Sequence, residues 1–340
     1  MALIEVRDLS KYFYVAKHHR GMAGALKNLF SREYSTVKAV NRLSFQIEPG
    51  ELVGYLGPNG AGKSTTIKML TGILVPSDGA LTVGGLVPWK QRTEHTRKIG
   101  VVFGQRTTLW WDLPVIESLD LLKHIYKISS NRHKENLKTF ETLLGLDEFL
   151  NTPVRSLSLG QRMRADLAAA LMHDPNVVFL DEPTIGLDVV AKERIRSFIK
   201  EINTQRGVTV ILTTHDLGDV EKLCKRVMMI DHGKLLFDGP LSELQERFGS
   251  ERELVVDFAE NYPGFQIEGA AVLQQEGLRV TYRFGRTTTA SELIAKLVSR
   301  YRILDLTVRE PEVENTVRRI YEERLLAQES TSALTPDSNS

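Results

Sequence analysis

Gly57-Pro58-Asn59-Gly60-Ala61-Gly62-Lys63-Ser64-Thr65 places a glycine-rich turn directly before a lysine and two hydroxyls. The apolar run Leu52 to Leu56 ahead of it has the composition of a buried strand, and Lys63 to Leu74 behind it suits a helix. On that strand, loop and helix reading, successive loop N–H groups and the positive end of the helix dipole converge on one point that fits a β-phosphate. Lys63 can reach the β- and γ-phosphates, and Ser64 offers a hydroxyl to Mg²⁺, a hard cation that prefers oxygen ligands and keeps several waters. The stretch therefore predicts an α/β chain that binds Mg·ATP, with Gly57, Asn59, Gly60, Ala61, Gly62, Lys63, Ser64 and Thr65 as its phosphate-binding set.

Further elements follow in a fixed order. Gln105 ends the strand-like Ile99 to Phe103, after Gly104. Leu157-Ser158-Leu159-Gly160-Gln161 opens a helix, and the apolar run Val177 to Leu180 ends in Asp181-Glu182-Pro183. Asp188 closes Thr184-Ile185-Gly186-Leu187-Asp188, and His215 follows the β-branched run Val208 to Thr214. Asp181, leaving a buried strand, is placed to hold the hydrated metal ion, and Glu182 is the candidate base for the attacking water. In this order the elements resemble the Q-loop, signature, Walker B, D-loop and switch histidine of the ATP-binding-cassette (ABC) ATPases, over residues 1–240. The resemblance implies a RecA-like core with a helical subdomain at about 106–171. It assigns His215 to holding the water and γ-phosphate, and Gln105 both to catalysis and, with Ser64 and Asp181, to the metal.

One position departs from that family's usual pattern: Leu159 stands where a first glycine is commonest. Ser158 and the N–H of Gly160 still sit at the start of a helix expected over Gln161 to Met172, whose Met163, Leu167, Ala170 and Leu171 form a buried stripe. A hydroxyl and free amides there make an anion site, although Ser158 read alone is an ordinary helix cap. The resemblance implies that Ser158, Gly160, Gln161 and Asp188 face the nucleotide of a second subunit, so that two cassettes sandwich two ATPs. Phe13 occupies the position where the family stacks an aromatic on adenine; Tyr12 and Tyr14 remain alternatives, and an edge-strand aromatic fits the same residue.

Charge and composition narrow the rest. A net charge of +1 argues against a generalised nucleic-acid surface, and a single cysteine, Cys224, excludes a disulfide framework. The N-terminus lacks a signal-like apolar region, and no stretch approaches the roughly 18 apolar residues that span a bilayer. The resemblance then implies separate transmembrane permease subunits, with this chain at the cytoplasmic face of the membrane.

Beyond the cassette, 241–250 reads as a short helix and linker, and 251–327 as a small α+β domain. It has strands at Leu254 to Phe258, at alternating Leu278, Val280, Tyr282 and Phe284, and at Leu304, Leu306 and Val308. Helices are expected through Ile294, Leu297, Val298 and Tyr301 and from Pro311 to Leu326, followed by a polar tail at 328–340. No carboxylate pair, metal spacing or glycine loop marks this domain, so a structural or regulatory role is expected. A basic insertion is expected at about 15–40, carrying Lys17, Arg20, Lys27, Arg32 and Lys38. Trp110 and Trp111, in Gln105 to Pro114, suit an interface anchor as readily as subdomain packing. Together these features resemble ATPase subunits of bacterial ABC exporters of drugs, lipids or glycoconjugates. The alternatives are a soluble ABC ATPase acting on nucleic acid or the ribosome, and an ATP-dependent regulatory scaffold. The first lacks support, because Lys63 and Ser158 are too close in sequence to enclose a long coiled coil.

Overall fold

The computed structural model describes residues 2–16, 34–104, 106–214, 216–248, 251–285 and 288–309, with Val317, Ile320 and Tyr321. Gln105, His215, residues 17–33 of the expected insertion, most of the expected 311–326 helix and the 328–340 tail lie outside them. The chain divides into two compact units between Gly239 and Pro240.

In the first unit, β1 (Ile4–Ala16), β2 (Tyr34–Ile47) and β4 (Asp78–Val83) form an antiparallel sheet in the order β2-β1-β4. The larger sheet runs β5-β6-β7-β3-β8-β9, with β3 (Leu52–Leu56), β5 (Ile99–Phe103), β6 (Val177–Asp181), β7 (Thr209–Thr213), β8 (Arg226–Asp231) and β9 (Lys234–Pro240). Strands β5, β6, β7, β3 and β8 are parallel. Their continuous apolar runs reflect burial on both faces, as in Val177-Val178-Phe179-Leu180, all fully buried. The helix after the glycine loop, α1 (Lys63–Leu70), is the layer between the sheets. Its Ile67, Met69 and Leu70 share one cluster with Ile4, Leu43 and Leu81 of the small sheet and Val53, Tyr55 and Ile211 of the large one.

Outside this core, α2 (Arg92–Thr96) precedes β5, and α3 (Val115–Tyr126), α4 (Ser130–Leu144) and α5 (Leu159–Leu171) follow it. Helix α6 (Val189–Arg206) buries Ile195, Phe198, Ile199 and Ile202, the stripe read from their spacing, and α7 (Leu217–Leu223) leads to β8. Cys224 is buried just past α7, and burial pushes its thiol far up, so it is inert. No helix among the described residues is long and apolar enough to cross a membrane.

Several sequence expectations need adjusting. Both flanks of the insertion expected at 15–40 are strand, paired Val15 to Ser35 and Ala16 to Tyr34, as aromatic and β-branched residues favour. Helix α1 stops at Leu70 rather than Leu74, because the chain turns at Gly72 with φ +76°. Helix α5 starts at Leu159, ahead of Gln161, because Ser158 caps it. Strand β4 was not anticipated; its turn residues Asp78 and Gly79 masked the alternation of Leu81 and Val83.

Two histidines, His95 buried and His173 half-buried, are placed to make the stability of the first unit depend on pH. His95 on α2 lies 2.9 Å through Nε2 from the Leu70 carbonyl, and His173, stacked on Tyr126 at 4.0 Å, lies 2.9 Å from the Ile99 carbonyl. Each Nδ1 lacks a hydrogen-bond partner, which fits a neutral ring donating from Nε2. Burial pulls both below the ordinary 6.5, against a smaller opposing effect of those carbonyls. The unfolded rings take up protons that the native ones resist, so their contribution is intact above pH 6.5 and lost as pH falls below it. We expect denaturant stability to drop by up to about 1.4 kcal/mol per pH unit for each histidine in that window. His95→Gln, which keeps a donor for Leu70, should flatten the slope in urea titrations between pH 7.5 and 5.5; an unchanged slope contradicts the assignment.

The second unit opens with α8 (Leu241–Phe248) and holds an antiparallel sheet in the order β11-β12-β10-β13, from β10 (Glu251–Phe258), β11 (Ala271–Glu276), β12 (Arg279–Gly285) and β13 (Ile303–Arg309). Helix α9 (Ala290–Arg300) starts in a Thr289–Glu292 capping box and buries Leu293 and Leu297 against Leu254, Val256, Val280, Tyr282 and Phe284. Phe258, Tyr262, Phe265 and Tyr301 form an aromatic cluster, edge-to-face except for the tilted Phe258–Phe265 pair and the tilted Phe265–Tyr301 pair. Two expectations shift. The strand read from Leu278 onward is the second arm of a hairpin turning at Gly277, whose exposed first arm β11 gave no burial pattern. The alternation Leu304, Leu306, Val308 breaks at a bulge opposite Asp257 and Phe258, which leaves Leu304 exposed.

Candidate functional site

The chemistry-bearing residues collect at the carboxyl ends of three adjacent parallel strands. Register pairs Tyr55 of β3 and Asp181 of β6 with the same residue, Thr213 of the intervening β7. The loop after β3 and the carboxylates after β6 therefore flank one crevice, where open α/β sheets place ligands.

The glycine loop is bent by Gly60 at φ +82° and Gly62 at φ +107° and fits only without side chains at two contacts. A Cβ on Gly57 would lie 2.6 Å from the Ile230 carbonyl, and one on Gly62 would collide with the carbonyl of Ala39. A backbone brace runs behind it, from Gly233 N to Ala61 O and from Asn41 N to Gly233 O, each 2.9 Å. No side chain caps the start of α1, which leaves its N–H groups directed at a ligand. Ala39, Pro58, Asn59, Gly60, Gly62, Lys63, Ser64, Thr65 and Glu182 line a cavity of 180 Å³.

Lys63 is buried and donates to the carbonyls of Gly57 at 2.5 Å and Pro58 at 3.2 Å. Burial lowers its pKa, while the charges of Glu182 and Asp181 oppose the shift. The ammonium is held over the loop, next to the space a phosphate would fill. Ser64 Oγ lies 3.3 Å from Asp181 Oδ2, while Thr213 Oγ1 donates to Asp181 Oδ1 at 2.5 Å. The N–H of Glu182 donates to Thr213 O at 3.0 Å and approaches its Oγ1 at 3.2 Å. One buried threonine thus fixes the carboxylate of Asp181 and the backbone of Glu182. Glu182 itself takes φ +55°, a strained conformation for a side chain of its size. Gly104 N donates to Asp181 O at 2.8 Å, and a Cβ on Gly104 would meet Glu182 O at 2.5 Å, so only glycine lets the chain before Gln105 approach this closely.

A hydroxyl beside a carboxylate is an all-oxygen donor pair, which fits Mg²⁺. Among the described residues no group of three or more His, Cys, Asp or Glu could hold an ion alone. Ser64 and Asp181 therefore suit an ion whose remaining ligands are phosphate oxygens and water.

The other expected residues lie on neighbouring elements. Ser158 and Gln161 form a reciprocal capping box at α5, Ser158 N to Gln161 Oε1 at 2.9 Å and Gln161 N to Ser158 Oγ at 3.2 Å. Leu159, the departure from the usual pattern, packs against Gly186, where a Cβ would lie 3.2 Å from its Cδ2. Asp188 caps α6 through Ala191 N at 2.9 Å. Phe13 pairs with Val37 on β1 and carries the Lys11 ammonium 5.5 Å over its ring. Trp110 and Trp111 are exposed, and the Arg162 guanidinium lies 5.9 Å from the Trp111 ring.

Three positioning groups escaped the sequence reading. Thr213 is one. Asp166 on α5 accepts from Thr107 Oγ1 at 2.8 Å and Thr108 N at 3.0 Å, tying the segment after Gln105 to the helix that Ser158 starts. The third is Asp219, wholly buried, which joins Arg196 Nε at 2.6 Å to the hydroxyls of Thr184 and Thr214. It links the loop after Glu182 to the backbone on either side of position 215.

Comparison with known proteins agrees with this geometry. Residues 40–185 match the ABC transporter family model. The linearmycin resistance ATP-binding protein of Bacillus subtilis is 36% identical over 65% of this chain and 70% of its own length. The methionine import ATP-binding protein of Latilactobacillus sakei is 29% identical over 85% of this chain and 86% of its own. A dimeric bacterial ABC transporter cassette superposes with a TM-score of 0.58 at 25% identity, covering 70% of this chain and 98% of that one. With a braced phosphate loop, a paired hydroxyl and carboxylate, and these relatives, the chain belongs to the ABC transporter ATP-binding proteins and is an ATPase motor subunit.

Proposed function

We propose that this ATPase works as a homodimer that closes around two Mg·ATP and drives separate permease subunits from the cytoplasmic face of a membrane. The observation that carries the reading is the convergence of Lys63, Ser64, Asp181 and Glu182 on one crevice, bridged by Thr213. Mg²⁺, when bound, neutralises charge on the β- and γ-phosphate oxygens. Ser64, Asp181 and Gln105 would hold it, with Thr213 fixing the Asp181 carboxylate. Lys63 and the loop amides hold the phosphates, and Phe13 stacks on the base. The Glu182 carboxylate orients the attacking water and accepts its proton, with His215 keeping water and γ-phosphate in register.

Ser158, Gly160, Gln161 and Asp188 complete the pocket of the opposite subunit. Exposed Trp110 and Trp111 support a permease socket, because aromatic side chains are favoured anchors at interfaces. Export, the direction suggested by the resistance protein's name, is our reading over import; the cargo is set by the permease. Residues 251–327 form an accessory domain that regulates or stabilises the dimer, and no nucleic acid is involved.

Mixing variants tests the shared pocket. Lys63→Ala and Gly160→Asp should each be inactive as homodimers, since each breaks both pockets. A Cβ on Gly160 would lie 3.4 Å from Ala191 Cβ, an ordinary contact, and a thermal melt of the Gly160→Asp homodimer checks that the rest of the side chain is accommodated. Mixed, they should regain part of the turnover, because one heterodimer pocket combines two intact halves. Wild-type turnover in either homodimer, or no recovery on mixing, sinks the composite site.

A further inference from the structure

Strand β4 accompanies β1 only as far as Ser10, so β1 and β2 continue beyond it as a two-stranded ribbon through Ala16 and Tyr34. Such a ribbon has little stability of its own in water, and this one is apolar on both sides. Val15 and Val37 share one face with Phe13, whereas Tyr14 and Tyr34 share the other, by the pairings Phe13 to Val37, Tyr14 to Thr36 and Ala16 to Tyr34. Tyr14 is 71% exposed, Tyr34 54%, Val15 50% and Val37 48%. A protein groove covering one face would leave the other wet, whereas a lipid interface surrounds both.

The local charge favours the same partner. Residues 17–33, which join the two strands, contain Lys17, Arg20, Lys27 and Arg32 against the single acid Glu33, in a chain whose net charge is only +1. On the ribbon itself the Lys38 ammonium lies 6.0 Å over the Tyr12 ring. Tyrosines suit the headgroup zone, where the ring meets acyl chains, the hydroxyl meets water, and water still reaches the strand edges. Basic residues adjacent to it in the sequence draw the segment to anionic lipid. We infer that the β1–β2 ribbon is a membrane-surface anchor that inserts its tip, with Tyr14, Val15 and Tyr34 beyond the Phe13–Val37 pair, among the headgroups of an anionic bilayer. The subunit would then hold the membrane directly, besides any hold through permeases.

Co-sedimentation of the full chain with vesicles tests this without permeases, so its failure is distinct from failure of the motor reading. Binding to phosphatidylglycerol-containing vesicles should exceed binding to pure phosphatidylcholine by at least about tenfold and fall in high salt. The double variant Val15→Ser, Tyr34→Ser should lose most of that binding while keeping wild-type ATP turnover and melting temperature. If this variant melts early, Tyr34→Ser alone, on an exposed position, gives the same comparison. Equal binding to both vesicle types, or wild-type binding by the folded variants, overturns the anchor. So does a variant that binds vesicles normally but no longer copurifies with a permease, which would make the ribbon a protein contact.

Discussion

Glu182→Gln should lower ATP turnover by at least about 10²-fold, the range for removing a general base, while ATP-bound dimers accumulate. The substitution keeps the side chain's size and its amide N–H bonds to Thr213, because those belong to the backbone. Neither residue is glycine, so the cost of φ +55° at this position is similar before and after. What changes is proton affinity: an amide cannot accept the proton that water must lose. Ser64, Asp181 and the Lys63 contacts to Gly57 and Pro58 remain, so nucleotide is still held. Lys63 loses one of the two carboxylates opposing its burial, but Asp181 stays. Single-turnover hydrolysis measures the chemical step, and size-exclusion chromatography with Mg·ATP measures dimers. A Glu182→Gln protein with wild-type turnover would remove Glu182 as the base; one that never dimerises with ATP would remove the closed-dimer mechanism.

The residues gathered at the crevice were legible in sequence because phosphate chemistry demands unusual residue types. Glycines at forced turns, a lysine at a helix start and two acids ending an apolar run serve phosphate and metal binding far better than they serve packing, and here they occur in order. The residues that hold them in place were not legible. Thr213 sits in a β-branched run where threonine is expected for strand propensity alone, and only register reveals Asp181 and Tyr55 on either side. Asp219 and Asp166 look like solvent-facing helix acids, and their burial depends on partners dozens of residues away. Two antiparallel elements hid for another reason. Strand β11 is exposed along its whole length, and the β1–β2 ribbon has two exposed faces, so neither carries the one-sided pattern that marks a strand.

Asp219→Ala should destabilise the first unit by about 3–5 kcal/mol, the range for stranding one member of a buried ion pair. Asp219 is wholly buried, and its partner Arg196 is nearly so. Removing the carboxylate leaves that guanidinium with only Glu193 at 3.3 Å and Asp216 at 3.8 Å, and deprives Thr184 and Thr214 of their shared acceptor. Because Trp89, Trp110 and Trp111 are the chain's three tryptophans and all precede Gly239, their fluorescence in urea reports on this unit alone. The double variant Asp219→Leu, Arg196→Met should recover much of the loss, since apolar side chains replace a buried pair at little cost. It should not recover turnover. Thr184 follows Glu182 by two residues, and Thr214, which accepts from Asp216 N at 2.9 Å, precedes His215. A stable double variant with reduced kcat and unchanged KM for ATP would mean that Asp219 keeps these loops in catalytic register. A single variant losing less than about 1 kcal/mol, the scale of an exposed pair, or a double variant with full kcat, would reduce the network to ordinary packing.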